Sequence, residues 1–274
     1  MPSLQPNARG TRSKAIEEVA LGERTVGRNP LREEVDEVEP DPATWRRIDL
    51  EMRKQDGQRL WIGLLRPLDW IEQLNATAGA TIPIDLPEMG AIGEAEVIAI
   101  GPCPPIHSGE GAVVTGTFRH ETDGRNVVAL RLEGQEKPTG VTNNHRYWSV
   151  DRQDYVEVGD LRPGEEIDTI DGHHCVESIA PLDYTGYLYN LETTEHVYRV
   201  DGLGALVHNA CVPKKLTRTQ SDEYREAARN VWHSRTNRRA FWDGMEVHHR
   251  IPLEWAHKFP KADPNRAANL IGLK

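Results

Sequence analysis

The run Leu206-Val207-His208-Asn209-Ala210-Cys211 carries the most particular chemistry in the chain. An asparagine can close its side-chain amide nitrogen onto its own backbone carbonyl. That forms a five-membered succinimide and expels the amine of the next residue, here Ala210. An amide is a poor nucleophile and an amine a poor leaving group, so such a cut needs acid–base help, typically worth about 10²–10⁴-fold. His208 stands directly before Asn209, and the pair ends an apolar, strand-like run. A second group lies downstream: the histidine pair His248-His249 in Val247-His-His-Arg-Ile-Pro-Leu253. Glu246 precedes His248 by two residues, which in an extended chain puts both on one side. His107, His120 and the pair His173-His174, which follows Asp171-Gly172, read as solvent-facing. The three cysteines, Cys103, Cys175 and Cys211, are too few and too scattered for a disulfide framework or a CxxC zinc site.

The elements that must position these groups differ on the two sides of Asn209. Residues 1–209 hold 20 Lys and Arg against 36 Asp and Glu, a net charge of −16; residues 210–274 hold 13 against 7, a net of +6. An acidic body joined to a short basic tail suggests two units, the second suited to a polyanion such as DNA or RNA. Hydrophobic residues make up 38% and charged residues 28% of the 274, the balance of a globular chain. No run approaches the ~18 apolar residues of a membrane span, and the first ten residues lack the apolar core of a signal peptide.

Upstream of Asn209 the pattern is β. Ser13–Arg28 reads as two strands turning at Gly22, and residues 29–56, rich in Pro, Asp and Glu and without periodicity until Trp45, read as an exposed, loosely ordered insert. Arg59–Leu65 alternates like a strand. Leu68, Ile71 and Leu74 form a short helical stripe starting at Pro67. Short β-branched runs follow at 94–100, 112–118, 126–132, 140–150, 155–167, 176–179 and 187–191, bounded by Gly, Pro and Asp-Gly turns. Val197–Val200 then turns at Asp201-Gly202 into Ala205–Val207. Strands at this spacing argue for a sandwich or barrel-like body over a parallel α/β sheet. Beyond the junction the period changes: Tyr224, Ala227, Ala228, Val231 and Trp232 share one helical face, 244–253 reads as a strand, and Asp263-Pro264 caps a short helix.

Taken together, residues 11–209 resemble the Hint superfamily shared by inteins and the hedgehog autoprocessing domain, in the pretoxin version of bacterial polymorphic toxins. The resemblance rests on the Ser13–Arg28 opening, Thr142-Asn-Asn-His145 with Trp148, Val158–Glu166, Tyr189-Asn-Leu-Glu, His196-Val-Tyr and the closing Leu206-Val-His-Asn209. It implies a mainly β, horseshoe-like domain over 1–209 that needs no cofactor. His208 would donate to the leaving nitrogen, and His196 would sit near the scissile carbonyl. Thr142 and His145 would serve an upstream cleavage site. Hint domains open on a Cys or Ser nucleophile, and that block is expected to lie ahead of Gly10. With no such residue in place, and with Ala210 unable to accept an acyl group, the expectation is cleavage without splicing.

The tail resembles an HNH (His-Me finger) nuclease of the endonuclease VII-related type, a small α+β, ββα-metal domain over 210–274. That resemblance implies one divalent metal, Mg or Zn, with His248 as ligand and Glu246 as a second. It makes His249 the general base and Asn269 the residue that ties the hairpin loop to the helix. Arg238, Arg239 and Arg250 would contact phosphate. A third motif histidine is expected beyond Lys274. The implied setting is a toxin exported by bacteria, acting on DNA or RNA in the target cytoplasm and held by a cognate immunity protein. A non-cleaving scaffold carrying a nucleic-acid-binding module, and an inactive remnant, are the alternatives. Salt-sensitive binding without turnover would mark the first of these.

Overall fold

A computed structural model describes residues 12–32, 35, 38–54, 56–86, 89 and 91–209, with the backbone of 246–249 and 270–273. The chain divides into two units, Met1–Cys211 and Val212–Lys274. In the first, the described chain is mainly β. Its strands in chain order are β1 (Arg24–Thr25), β2 (Trp45–Arg53), β3 (Arg59–Pro67), β4 (Thr81–Leu86), β5 (Ala91–Pro102), β6 (Ala112–Thr122) and β7 (Val127–Leu132). There follow β8 (Thr139–Thr142), β9 (Arg146–Ser149), β10 (Asp154–Glu157), β11 (Glu166–Thr169), β12 (Gly172–Pro181), β13 (Gly186–Thr193), β14 (Val197–Val200) and β15 (Ala205–His208). The α-helix α1 (Leu68–Gln73) starts after Pro67, which caps it in extended conformation. None of the described helices is long and apolar enough to cross a membrane.

Two sheets result. One runs β1-β6-β3-β2-β5-β4, with β13 also on β6; the other runs β14-β15-β9-β11-β12-β7-β8, with β10 on β9. The strand pairings of the described residues are antiparallel, as short strands joined by tight turns allow. The sheets serve two cores. Ile48, Leu50 and Met52 of β2 face Leu64, Ile62 and Leu60 of β3 in register. They bury with Ile82, Ala95, Val97 and Phe118. The other core gathers Leu130, Leu132, Tyr147, Ile167, Val176, Leu191, Tyr198 and Val207. Each large apolar side chain so buried contributes about 1.5–3 kcal/mol. β6 spans both, with Val114 in the second core and Phe118 in the first. β13 rides on β6 and so is fixed by a strand rooted at both ends, Leu191 opposite Thr117.

Two sequence expectations are corrected. Ser13–Arg28 is no hairpin: Ile16–Glu18 is a 3-10 turn, and only Arg24–Thr25 is strand, paired with Val113 and Ala112 of β6. Non-local pairing with β6 wins over the local turn, although Gly22 does turn the chain at φ +86° and its N–H donates to Val114. Nor is 29–56 a loose insert throughout. Trp45–Arg53 is a central strand flanked by β3 and β5, and Asn29 is fully buried. Charges at every second position (Arg47, Asp49, Glu51) mask the period-2 burial of Ile48, Leu50 and Met52.

In the second unit the described residues form one antiparallel pair, β16 (Glu246–His249) and β17 (Leu270–Leu273). His248 stands opposite Ile271 and His249 opposite Leu270. The helices expected at 221–232 and from Asp263-Pro264 lie outside the described residues.

Candidate functional site

β14 and β15 form a hairpin whose open end carries the residues singled out by sequence. Val197 pairs with His208 at that end, and the N–H of Asn209 donates to the carbonyl of His196 at 2.9 Å, closing it. His196 adopts φ +56°, a left-handed conformation costly for a residue with a Cβ. Its surroundings enforce it. The His196 N–H donates to the Thr193 carbonyl at 2.9 Å, and the Thr193 hydroxyl donates to Val197 at 2.8 Å, so the turn from β13 to β14 is bonded at both ends.

Asn209 is 1% exposed. Its side-chain nitrogen, the atom that would attack, donates to the Leu191 carbonyl at 2.8 Å, while its side-chain oxygen has no hydrogen-bond partner among the described residues. His208 is likewise buried. Its ring lies against Tyr155, centroids 4.6 Å apart, and Tyr155 in turn meets Trp148 edge-on at 4.9 Å. The Tyr155 hydroxyl donates to the Asn29 side chain at 2.9 Å, so a residue of the region expected to be loose anchors the aromatic wall behind His208. His196, His208 and Asn209 thus come together at the end of the hairpin, all three buried.

Thr142 and His145 lie at the turn between β8 and β9. Thr142 accepts the N–H of His145 at 3.0 Å, and Gly159 and Val158 bond back to Asn143 and His145 at 2.9 Å each. A Cβ on Gly159 would stand 2.6 Å from the Asn143 side chain, so glycine lets the two segments close. Both residues are half-buried and border a cleft of about 2170 Å³, whose wall includes Tyr147, Asn190, Leu191 and Tyr198 but not His196, His208 or Asn209. The His145 ring lies 5.9 Å from Tyr147 and 6.4 Å from Tyr198. Burial pushes the Tyr147 phenol well above its usual range, with Asp201 adding to it, and the Tyr147 hydroxyl has no hydrogen-bond partner among the described residues. Burial also raises the Asp201 carboxyl, against backbone N–H groups that lower it.

The histidines expected to face solvent divide. His107 and His173 do; His174 is half-buried, its Nδ1 at 2.8 Å from the Glu133 carbonyl. His120 does not. It is buried at the cleft wall, and desolvation, with Lys54 nearby, lowers its pKa to about 4. Position 120 follows Phe118 on the inward face of β6, a period-2 signal hidden by the polar Arg119 and Glu121. Asn190, Leu191 and Tyr198 fall within the sequence motifs Tyr189-Asn-Leu-Glu and His196-Val-Tyr, which give them no role, and Tyr155 is not singled out. Leu191 contributes a backbone carbonyl, which no residue type reports.

Of the expected nuclease residues, Glu246, His248 and His249 lie on β16, Glu246 and His248 two positions apart on the strand. Arg238, Arg239, Arg250, Asn269 and Ala210 lie outside the described residues. Among the described residues no three His, Cys, Asp or Glu side chains are grouped to hold a metal ion.

No family model and no curated protein matches the chain. Solved structures do. An intein-like bacterial domain from Clostridium thermocellum is 21% identical with a TM-score of 0.31, over 60% of this chain and 98% of that one. The TvoVMA intein is 15% identical with a TM-score of 0.34, over 60% and 98%. A DnaB intein from Synechocystis sp. PCC 6803 is 14% identical with a TM-score of 0.29, over 60% and 99%. Similarity at these scores carries no argument about mechanism, which rests on the geometry around Asn209.

Proposed function

We propose that the first unit is a Hint-type autoprocessing domain that cuts its own chain after Asn209. One observation carries the reading: the amide nitrogen of a buried asparagine is held on the Leu191 carbonyl at 2.8 Å, with His208 before it and His196 bonded to its backbone. In the reaction Nδ2 forms a bond to the Asn209 carbonyl carbon and the bond to the Ala210 nitrogen breaks. The proton lost by Nδ2 is balanced by one gained by the leaving amine. No water enters, which suits a dry site where competing hydrolysis is suppressed. His208 delivers the proton to the leaving nitrogen, and the Leu191 carbonyl accepts one N–H and so leaves Nδ2 richer in electrons. Ala210 has no hydroxyl or thiol, so the chemistry ends in a cut and does not pass to splicing.

The second unit, in this reading, is a metal-dependent HNH nuclease set free by the cut. Its support is the basic charge of 210–274 and the His248-His249 pair on a two-stranded element. His248, with Glu246, would hold a Mg or Zn ion that stabilises charge on the scissile phosphate, and His249 would activate water. Arg238, Arg239 and Arg250 would grip the DNA or RNA backbone, with Asn269 bracing the loop. A nuclease of this kind calls for an immunity protein in the producing bacterium and for export to a target cell.

The parent chain, purified, should yield a fragment of about 65 residues while Asn209→Ala stays whole; identical behaviour sinks the cleavage claim. For the tail, plasmid is incubated with the cleaved chain, with Mg²⁺ or EDTA. Absence of nicking, or nicking indifferent to His249→Ala, removes the nuclease half.

A further inference from the structure

Asn209 is linked to the Tyr198 side chain through two intervening residues. Leu191 accepts from Asn209 Nδ2 at 2.8 Å, and the Leu191 N–H donates to Asn190 Oδ1 at 2.9 Å. That same oxygen accepts a short hydrogen bond from the Tyr198 hydroxyl. Asn190 and Tyr198 are both buried, Tyr198 on β14 and Asn190 on β13. Asn190 stands opposite Phe118 and Leu191 opposite Thr117, so the β6 ladder fixes the strand. Just past Leu191 the ladder shifts register between Glu192 and Thr193, and the buried Asn190 side chain, clamped from β14, fixes the Leu191 N–H there.

We infer that Tyr198 is a positioning residue for the cut: through Asn190 it sets the Leu191 carbonyl that aims the Asn209 amide. The inference rests on the proposed cleavage. Its logic is that effective proximity depends on sub-ångström placement of the attacking atom. The Tyr198 ring also lies against His145. Removing only the hydroxyl keeps that ring and its packing.

The test compares cleavage rates of the full chain. Tyr198→Phe should slow cleavage about tenfold, the worth of a buried hydrogen bond, with the thermal midpoint and the shape of the pH–rate profile unchanged. Asn190→Leu should slow it at least as much, and Asn190→Asp, which keeps the acceptor oxygen, should recover part of the loss. The double variant Tyr198→Phe/Asn190→Leu should be no slower than Asn190→Leu, because the hydroxyl acts only through Asn190. Parental rate in Tyr198→Phe, or additive losses in the double variant, overturns the inference and leaves the proposed function standing. If the parent chain does not cleave, the proposed function has failed, and hydrogen exchange of the Asn209 side-chain amide in the intact protein decides instead. Exchange about tenfold faster in Tyr198→Phe, with the Asn209 backbone N–H on His196 unchanged, supports positioning; equal exchange overturns it.

Discussion

Two clusters of polar residues stand on neighbouring strands of the first unit, and their surroundings differ. Thr142 and His145 are half-buried on the rim of a cleft of about 2170 Å³. Asn209, His208 and His196 are buried, with Tyr155 against the His208 ring. The open cluster has room for another segment of chain. In the buried cluster the Asn209 amide nitrogen is already on an acceptor. A side chain that reacts with its own backbone needs no binding site, only aim and exclusion of water. A group that acts on something else needs an opening. In the proposed reading the buried cluster makes the cut after Asn209, and Thr142 and His145 would act on a chain that enters the cleft.

Substitutions break or sharpen that assignment. The largest effect falls on His208→Ala, which should slow cleavage after Asn209 by about 10²–10⁴-fold, the worth of general acid help, read from the decay of the intact chain on gels. Next is Arg66→Met. Glu192, beside Leu191 on β13, is buried and paired with Arg66 at 2.9 Å, so loss of the guanidinium breaks a buried ion pair at a cost of about 3–5 kcal/mol, measurable by urea unfolding. The third concerns acid. Folded His120 refuses a proton until about pH 4, whereas the unfolded chain accepts one below about 6.5. Stability therefore falls as pH falls through that window, by about 3 kcal/mol in all, and His120→Gln should flatten that slope in thermal melts at pH 7, 5.5 and 4. The smallest effect is expected at the open cluster: Thr142→Ala and His145→Ala should change cleavage after Asn209 by less than about fivefold, no more than one ordinary hydrogen bond. A loss at His145 matching that at His208 would erase the distinction between the clusters.

The sequence shows these features unevenly, for physical reasons. His208-Asn209 was legible because its chemistry depends on neighbours in the chain. The strands from β3 to β15 were legible where apolar alternation is bounded by turns. β2 was not, because its outward positions alternate in charge and swamp the inward signal of Ile48, Leu50 and Met52. The short arm at Ile16–Glu18 misled for the opposite reason: its apolar residues pack on the core from a 3-10 turn rather than a strand. What the motifs Tyr189-Asn-Leu-Glu and His196-Val-Tyr do not disclose acts through the backbone or across strands. Leu191 supplies a carbonyl, and Tyr198 reaches Asn190 only because β13 and β14 fold back on each other. Residue types do not encode that.

The most direct measurement is the intact mass of the upstream product at the earliest time it can be seen. Cyclisation predicts a chain ending at Asn209 that is one water lighter than the free acid, with a partner beginning at Ala210. A product that already carries a free carboxyl at first appearance, or a cut at any other bond, would contradict it.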